Sequence, residues 1–214
     1  MEMLYEDAAL VVCIKPAGVL SQPTPKKETD MTALLAAHFA ENGETVMPHV
    51  VHRLDRGTGG VMVYAKNARA AAALSSGEMK KIYLAVLEGV PAEAQGELED
   101  LLYYDRQKDK TYVVKRKRQG VKEARLTYAT ERTVTADGLP LTLVRVRLGT
   151  GRTHQIRAQF ASRRLPLFGD ARYGANTRGA LGLFAASLTF RHPASGKEMT
   201  FSAEPQGTPF DLFQ

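Results

Sequence analysis

Tryptophan is absent from this chain, and cysteine occurs once, as Cys13. A lone cysteine closes no internal disulfide, so a cross-linked secreted scaffold is excluded, and its neighbours Val11, Val12 and Ile14 suggest a buried strand. Five histidines and one cysteine make a poor ligand supply for zinc, and no metal site is expected. No apolar run reaches about 18 residues, which leaves no candidate membrane span. The start, Met1-Glu2-Met3-Leu4-Tyr5-Glu6-Asp7, is acidic and unlike a secretory signal. Neither a Gly-x-x-x-x-Gly-Lys phosphate loop nor a dinucleotide fingerprint is found, so no nucleotide cofactor is expected either. These absences fit a cytoplasmic protein working without membrane, metal or cofactor.

What is present is a core and a local excess of positive charge. The 214 residues are 44% hydrophobic, enough to bury a substantial core, and the net charge is +6. Residues 108 to 125 hold Lys108, Lys110, Lys115, Arg116, Lys117, Arg118, Lys122 and Arg125 against Asp109 and Glu123, so 8 − 2 = +6, the whole net charge, falls in one stretch. A basic run on an otherwise balanced chain suits a polyanion, with Lys115, Arg116, Lys117 and Arg118 as its densest part and candidate contacts. Alone, it would equally describe a solvated face.

Patterning predicts strands at residues 9–14, 50–54, 61–65 and 82–87, then at 112–114, 124–128, 141–148, 183–190 and 198–202. Asp30 is placed to cap a helix that ends near Gly43, and Asn67 to cap an alanine-rich helix closed by Gly77. A third, short helix is expected from about Thr153, with Ile156 and Phe160 on its buried side. Residues 24–29 and 107–110 read as polar loops. Strands outnumber helices without alternating with them, which predicts an α+β fold with a largely antiparallel sheet.

Three segments could carry chemistry. His52-Arg53-Leu54-Asp55-Arg56-Gly57-Thr58-Gly59-Gly60 sets one carboxylate in a glycine-rich turn between arginines, which favour its charged form. Its glycines let another backbone or a ligand approach closely; equally, such an Asp can serve only its own turn. Gly151-Arg152-Thr153-His154-Gln155-Ile156-Arg157 gathers polar and basic groups at a helix entry, which suits phosphate. Lys80-Lys81-Ile82-Tyr83-Leu84-Ala85-Val86 is a strand carrying one tyrosine. His49, His52 and Asp55 recur every third residue, but period three on a strand scatters side chains over both faces, against a shared metal.

Taken together these segments resemble the RluA-type RNA pseudouridine synthases. Leu10-Val11-Val12 followed by Lys15-Pro16-Ala17-Gly18 is similar to that family's opening strand and Lys-Pro turn. Residues 52–67 are similar to its catalytic motif, residues 80–89 to its tyrosine motif, and residues 148–174 to its third motif. His192-Pro193 and Gly196 resemble its closing hairpin. The chain departs from the family in Thr58-Gly59-Gly60, where Thr-Ser-Gly is usual, in Arg164-Leu165, where a Gly and a polar residue are common, and in Cys13-Ile14, where an acidic residue precedes the lysine.

The resemblance implies a pseudouridine synthase fold over residues 1–214: a mainly antiparallel bent sheet, flanking helices and a central catalytic cleft. It implies one catalytic domain, monomeric, with no S4-type RNA-binding domain in front. Asp55 would be the catalytic carboxylate, Tyr83 the active-site tyrosine and Arg157 the basic partner of Asp55. Arg53 would enter the space left by a flipped-out base, while Arg152, His154 and Gln155 bind phosphate or shape the pocket wall. The substrate would be ribosomal or transfer RNA. Two other readings compete: a catalytically silent RNA-binding protein, disfavoured because Asp55, Tyr83 and Arg157 are all present, and a glycosidase-like hydrolase, which usually needs two carboxylates where the motifs offer Asp55 and the more distant Asp170.

Overall fold

A computed structural model describes every residue from 1 to 214 except Lys27, so the expected loop at 24–29 lies partly outside the described residues. In chain order the strands and helices are β1 (Glu2–Glu6), β2 (Leu10–Lys15), α1 (Met31–Glu41), β3 (His49–Val50), β4 (Gly59–Ala65), α2 (Ala68–Ser76) and β5 (Lys80–Glu88). They continue with β6 (Gln95–Asp105), β7 (Lys110–Val114), β8 (Val121–Ala136), β9 (Leu139–Leu148), α3 (Gln155–Ala161), β10 (Leu183–Arg191) and β11 (Glu198–Ser202). The expected α+β class, with antiparallel ladders β1–β2, β2–β4, β5–β9, β8–β9, β6–β8, β6–β7 and β10–β11, is what forms. Among the described residues no helix is long and apolar enough to cross a membrane.

Two compact units divide the chain. The first comprises Met1–Lys81 and Ala185–Pro205. Its centre is β4, whose seven residues are all buried, as its unbroken apolar sequence requires of a strand covered on both faces. Val61, Val63 and Ala65 point to one face and pack with Leu10, Val12, Leu188, Phe190 and, from α2, Ala70 and Leu74. Met62 and Tyr64 take the other face, where the Tyr64 hydroxyl donates to the Ser21 carbonyl at 2.9 Å. Both helix caps expected here form: the Asp30 carboxylate accepts from the Thr32 and Ala33 amides, and Asn67 accepts from Ala70. Cys13 is fully buried on β2, and burial pushes its thiol up to about 12.

The second unit comprises Ile82–Phe184 and Gln206–Gln214, with strand order β5-β9-β8-β6-β7. Leu98 and Leu102 of β6 and Ala124 and Leu126 of β8 are buried, while the alternating residues of both strands face outward. The buried face carries α3, which contributes Ala158 to a cluster with Leu102 and Ala124. That helix starts at Gln155, two residues past Thr153, because His154 sits in the left-handed region (φ 51°) and cannot belong to the first turn.

Two strands escape sequence patterning. β1 is five residues long with a glutamate at each end, and β6, whose outward positions include Glu97 and Glu99, falls where no element is expected. One expected strand fails: of residues 50–54 only Val50 is in β3, and residues 51–58 run as an irregular segment. Their backbone groups take side-chain partners in place of a ladder.

Gly60 marks the tightest approach in the first unit. At φ 126° a Cβ would lie 2.3 Å from the Ala185 carbonyl oxygen and 2.6 Å from its nitrogen, so only glycine lets these backbones meet. Of the two uses open to these glycines, Gly60 serves the backbone. Gly60→Ala is expected to cost about 3 kcal/mol or more in urea unfolding, as backbone strain and overpacking add. Gly151→Ala, where a Cβ meets nothing within 4 Å, should cost less than about 1 kcal/mol. Equal costs would show that the Ala185 contact is not limiting.

Candidate active site

In the first unit Asp55 stands half-buried in the irregular segment, which is held by Ser21 and Lys15 from elsewhere and by its own His52. Ser21 serves Leu54 twice, its hydroxyl donating to the Leu54 carbonyl at 2.9 Å and accepting from the Leu54 amide at 3.0 Å. The His52 Nε2 accepts the Val63 amide at 3.2 Å, so its proton lies on Nδ1, which has no hydrogen-bond partner among the described residues. Burial, reinforced by the Lys81 charge, pushes His52 down to about 3 and keeps it neutral. On the far side the Thr58 amide donates to the Asp55 carbonyl at 3.0 Å, closing the turn.

The third brace is Lys15, fully buried at the end of β2. Its ammonium donates to the carbonyls of Val19 (2.6 Å), Pro16 (2.9 Å) and Arg56 (3.2 Å), joining the Lys-Pro turn to the Asp55 turn. Burial pushes Lys15 down to about 8, and the Asp55 charge opposes that shift. Arg56, expected to hold the carboxylate charged, instead turns to the Gly18 carbonyl at 3.0 Å and to Glu28 at 2.8 Å. Lys15 is the cation that sequence reasoning passed over, since a lysine before a proline gives no sign of being buried. Arg53 is exposed beside Asp55.

In the second unit Tyr83 is 7% exposed on β5, opposite Val146 of β9. Arg157 lies on α3, 9% exposed, and makes a bidentate pair with Asp170: Nε to Oδ2 at 2.7 Å and Nη2 to Oδ1 at 2.8 Å. Fork-to-fork geometry of this kind fixes the guanidinium plane as well as its charge. Its Cζ lies 5.0 Å from the centre of the Tyr173 ring. Tyr173 is a hub missed in the sequence, its hydroxyl accepting the Thr111 amide at 2.8 Å and meeting His154 Nδ1 at 3.1 Å. Burial pushes Tyr173 up to about 12, so it is a neutral hydroxyl at ordinary pH.

Gln155 is 3% exposed and its amide is committed to the loop: it accepts from Thr150 (2.8 Å) and the Arg152 amide (3.0 Å) and donates to the Arg125 carbonyl (2.9 Å). Lys115, Arg116, Lys117 and Arg118 are exposed in the loop between β7 and β8. Glu123 ties this loop to the α3 entry, because its carboxylate pairs with Lys117 at 2.5 Å and its carbonyl accepts from Arg152 Nε at 3.0 Å. Two basic segments read separately in the sequence are thereby neighbours. Among the described residues no three His, Cys, Asp or Glu side chains converge on a metal position.

A family model described as RNA pseudouridylate synthase matches residues 9–162 of this chain. An uncharacterized RNA pseudouridine synthase of Bacillus subtilis is 35% identical over 185 residues, covering 83% of this chain and 59% of its own length. The ribosomal large subunit pseudouridine synthase D of Zymomonas mobilis is 32% identical over 227 residues, covering 95% of this chain and 69% of its own. The chain thus spans between 59% and 69% of these two relatives. In fold it is similar to the human RNA pseudouridylate synthase domain containing 1, with a TM-score of 0.76 at 21% identity over 95% of this chain and 83% of that one.

Lys15→Met should destabilise the protein by roughly 1–3 kcal/mol, since buried carbonyls lose their donor. The folded pKa of Lys15, about 8, lies below its unfolded value, so the folded protein releases this proton first. Between about pH 8 and 10 the cost of burying the charge is relieved, and wild type should gain stability relative to Lys15→Met. Urea unfolding of both proteins at pH 7.5 and 9.5 measures this; a gap that narrows with pH would contradict a buried, charged Lys15.

Proposed function

The chain belongs to the RNA pseudouridylate synthase family, and on that premise we propose that it isomerises uridine to pseudouridine in structured ribosomal or transfer RNA, with Asp55 as its catalytic carboxylate. The observation that carries the reading is the Asp55 turn: a single half-buried carboxylate on an irregular segment braced by Ser21, His52 and Lys15. A group that only served its own turn would not call for two distant side chains, Ser21 and Lys15, to hold the backbone around it.

The reaction breaks the N1–C1′ bond, turns the base, joins C5 to C1′ and moves the C5 proton away, with no redox change or energy input. Cleavage by attack at C1′ and cleavage by removal of the C2′ proton both need a carboxylate at the sugar, and Asp55 fills that role. Tyr83 packs against the detached uracil or assists loss of the C5 proton, and Arg157 acts as the basic partner of the carboxylate, as the family resemblance implies. The target base must leave its stack, at a cost of roughly a few kcal/mol. Arg53, exposed next to Asp55, enters the vacated space. Arg152 and His154 meet phosphate or line the pocket wall, with Gln155 shaping the loop that carries them. The site needs no cofactor, and the enzyme works as a cytoplasmic monomer.

Asp55→Asn should lower tritium release from [5-³H]uridine-labelled RNA by more than about 100-fold, with RNA affinity nearly unchanged. Substantial release by the purified variant would remove Asp55 from the mechanism.

Changing Lys115, Arg116, Lys117 and Arg118 together to Gln should weaken RNA binding and raise KM far more than it alters kcat. The slope of log K against log[salt] should flatten by about 0.7 for each single-strand phosphate that the variant no longer neutralises. Unchanged affinity and slope in a titration from low to high salt would make this loop a solvated face.

A further inference from the structure

The outward face of β6, β7 and β8 is an unusual surface for a protein that binds nothing there. Strand alternation sends Leu101, Tyr103 and Asp105 of β6 outward, with Lys110, Tyr112 and Val114 of β7 and Val121 of β8. Every one of these seven is half-buried, while Leu102, Thr111 and Ala124 on the opposite face are buried. Tyr103 stands directly across from Tyr112 on one side and Val121 on the other, so two tyrosines share one row of the sheet. Directly opposed residues on one face have Cβ atoms about 5 Å apart.

Each ring already carries a cation. The Arg118 guanidinium carbon lies 4.8 Å from the centre of the Tyr103 ring, and the Lys110 ammonium, shared between two rings, lies 5.6 Å from that of Tyr112 and 5.1 Å from that of Tyr173. Arg118 is brought there by a tight turn, in which its carbonyl accepts the Val121 amide at 3.1 Å and Gly120 takes φ 81°. The exposed run Lys115–Arg118 borders the same face, and Glu123 and Arg125, also outward on β8, are paired with Lys117 and Glu99. Aromatic side chains paired across neighbouring strands of a sheet, edged by phosphate-seeking charge, are what single-stranded nucleic acid stacks on.

We infer that Tyr103 and Tyr112 form a stacking platform for two consecutive unpaired bases of the RNA substrate, with Arg118 and Lys110 taking the adjoining phosphates. In the free protein the two cations cover the rings. An incoming base replaces each cation on its ring, and the released cation meets the following phosphate, so neither charge is left unpartnered. The surface thereby selects RNA with unpaired nucleotides outside the reaction centre, tolerating any base because every base has a stacking face. This rests on the RNA-modifying reading proposed above, and adds to it where the strand beyond the target uridine lies.

Binding of a fluorescein-labelled, unstructured 12-nucleotide RNA by anisotropy tests it. Tyr103→Leu with Tyr112→Leu should weaken binding by roughly 5- to 150-fold for each base unstacked, while the salt slope stays at the wild-type value. Tyr103→Phe with Tyr112→Phe should bind like wild type, because a ring without the hydroxyl still stacks. With wild-type protein, RNA carrying 5-iodouridine should photo-crosslink to Tyr103 or Tyr112, a result that does not depend on any variant folding. Crosslinks confined to other residues, or a Leu variant of wild-type affinity, would overturn the platform. So would self-association of the wild type, seen by sedimentation and abolished in the Leu variant, which would make the face an interface between copies. Tritium release by wild type separates the two ideas: release with no tyrosine crosslink sinks the platform alone, and crosslinking without release sinks the pseudouridine reading alone.

Discussion

The arrangement around Asp55 follows from one constraint, that buried backbone groups must find hydrogen-bond partners. β4 is buried along its whole length, and the segment leading into it, residues 51–58, is not part of a ladder. Side chains serve it instead: the Ser21 hydroxyl takes both backbone groups of Leu54, the Lys15 ammonium takes the Arg56 carbonyl, and His52 of the segment itself accepts the Val63 amide of β4. Such a segment is held as firmly as a strand yet is free of strand geometry. That freedom leaves Asp55 half-exposed beside a core strand, where regular alternation would have fixed its side by parity.

Lys15 illustrates how stability and site chemistry use the same group. Burying an ammonium is costly, and three carbonyl dipoles offset part of that cost. The Asp55 charge supplies another part, so the carboxylate proposed to act on the sugar also favours the fold around it. In the second unit the equivalent anchor is the Arg157–Asp170 fork, with Tyr173 against the guanidinium. Removing one partner of a buried pair of this kind typically costs about 3–5 kcal/mol, because the other charge is left uncompensated. Asp170, which in sequence looked like a remote second carboxylate, is thereby a positioning residue for Arg157.

Glu123 organises the basic surface in a different manner. Its two ends hold Lys117 and Arg152, residues 35 apart in sequence, so the charge run and the α3 entry become one surface. The pairing is exposed and contributes little stability. Its effect is geometric, since it keeps two long cationic side chains from spreading into solvent independently.

Where local rules decide, the sequence was sufficient. Asp30 and Asn67 cap helices because short acceptors ahead of a helical run satisfy free amides whatever surrounds them. The apolar runs of β2, β4, β5 and β10 read correctly because continuous burial leaves a continuous apolar trace, and the motif segments themselves announced the family. Local rules failed where partners lie far along the chain. Residues 51–54 are β-branched or apolar enough to look like a strand, but no neighbour offers them a ladder, and a serine thirty-three residues away takes its place for Leu54. β6 was hidden because Leu101 and Tyr103 face outward while Asp100 faces α3, which breaks the apolar–polar alternation. The burial of Lys15, the Tyr173 hub, the Glu123 junction and the Tyr103–Tyr112 row were all decided by tertiary structure. Each depends on which strands become neighbours and in what register, and a single residue's chemistry carries no record of that.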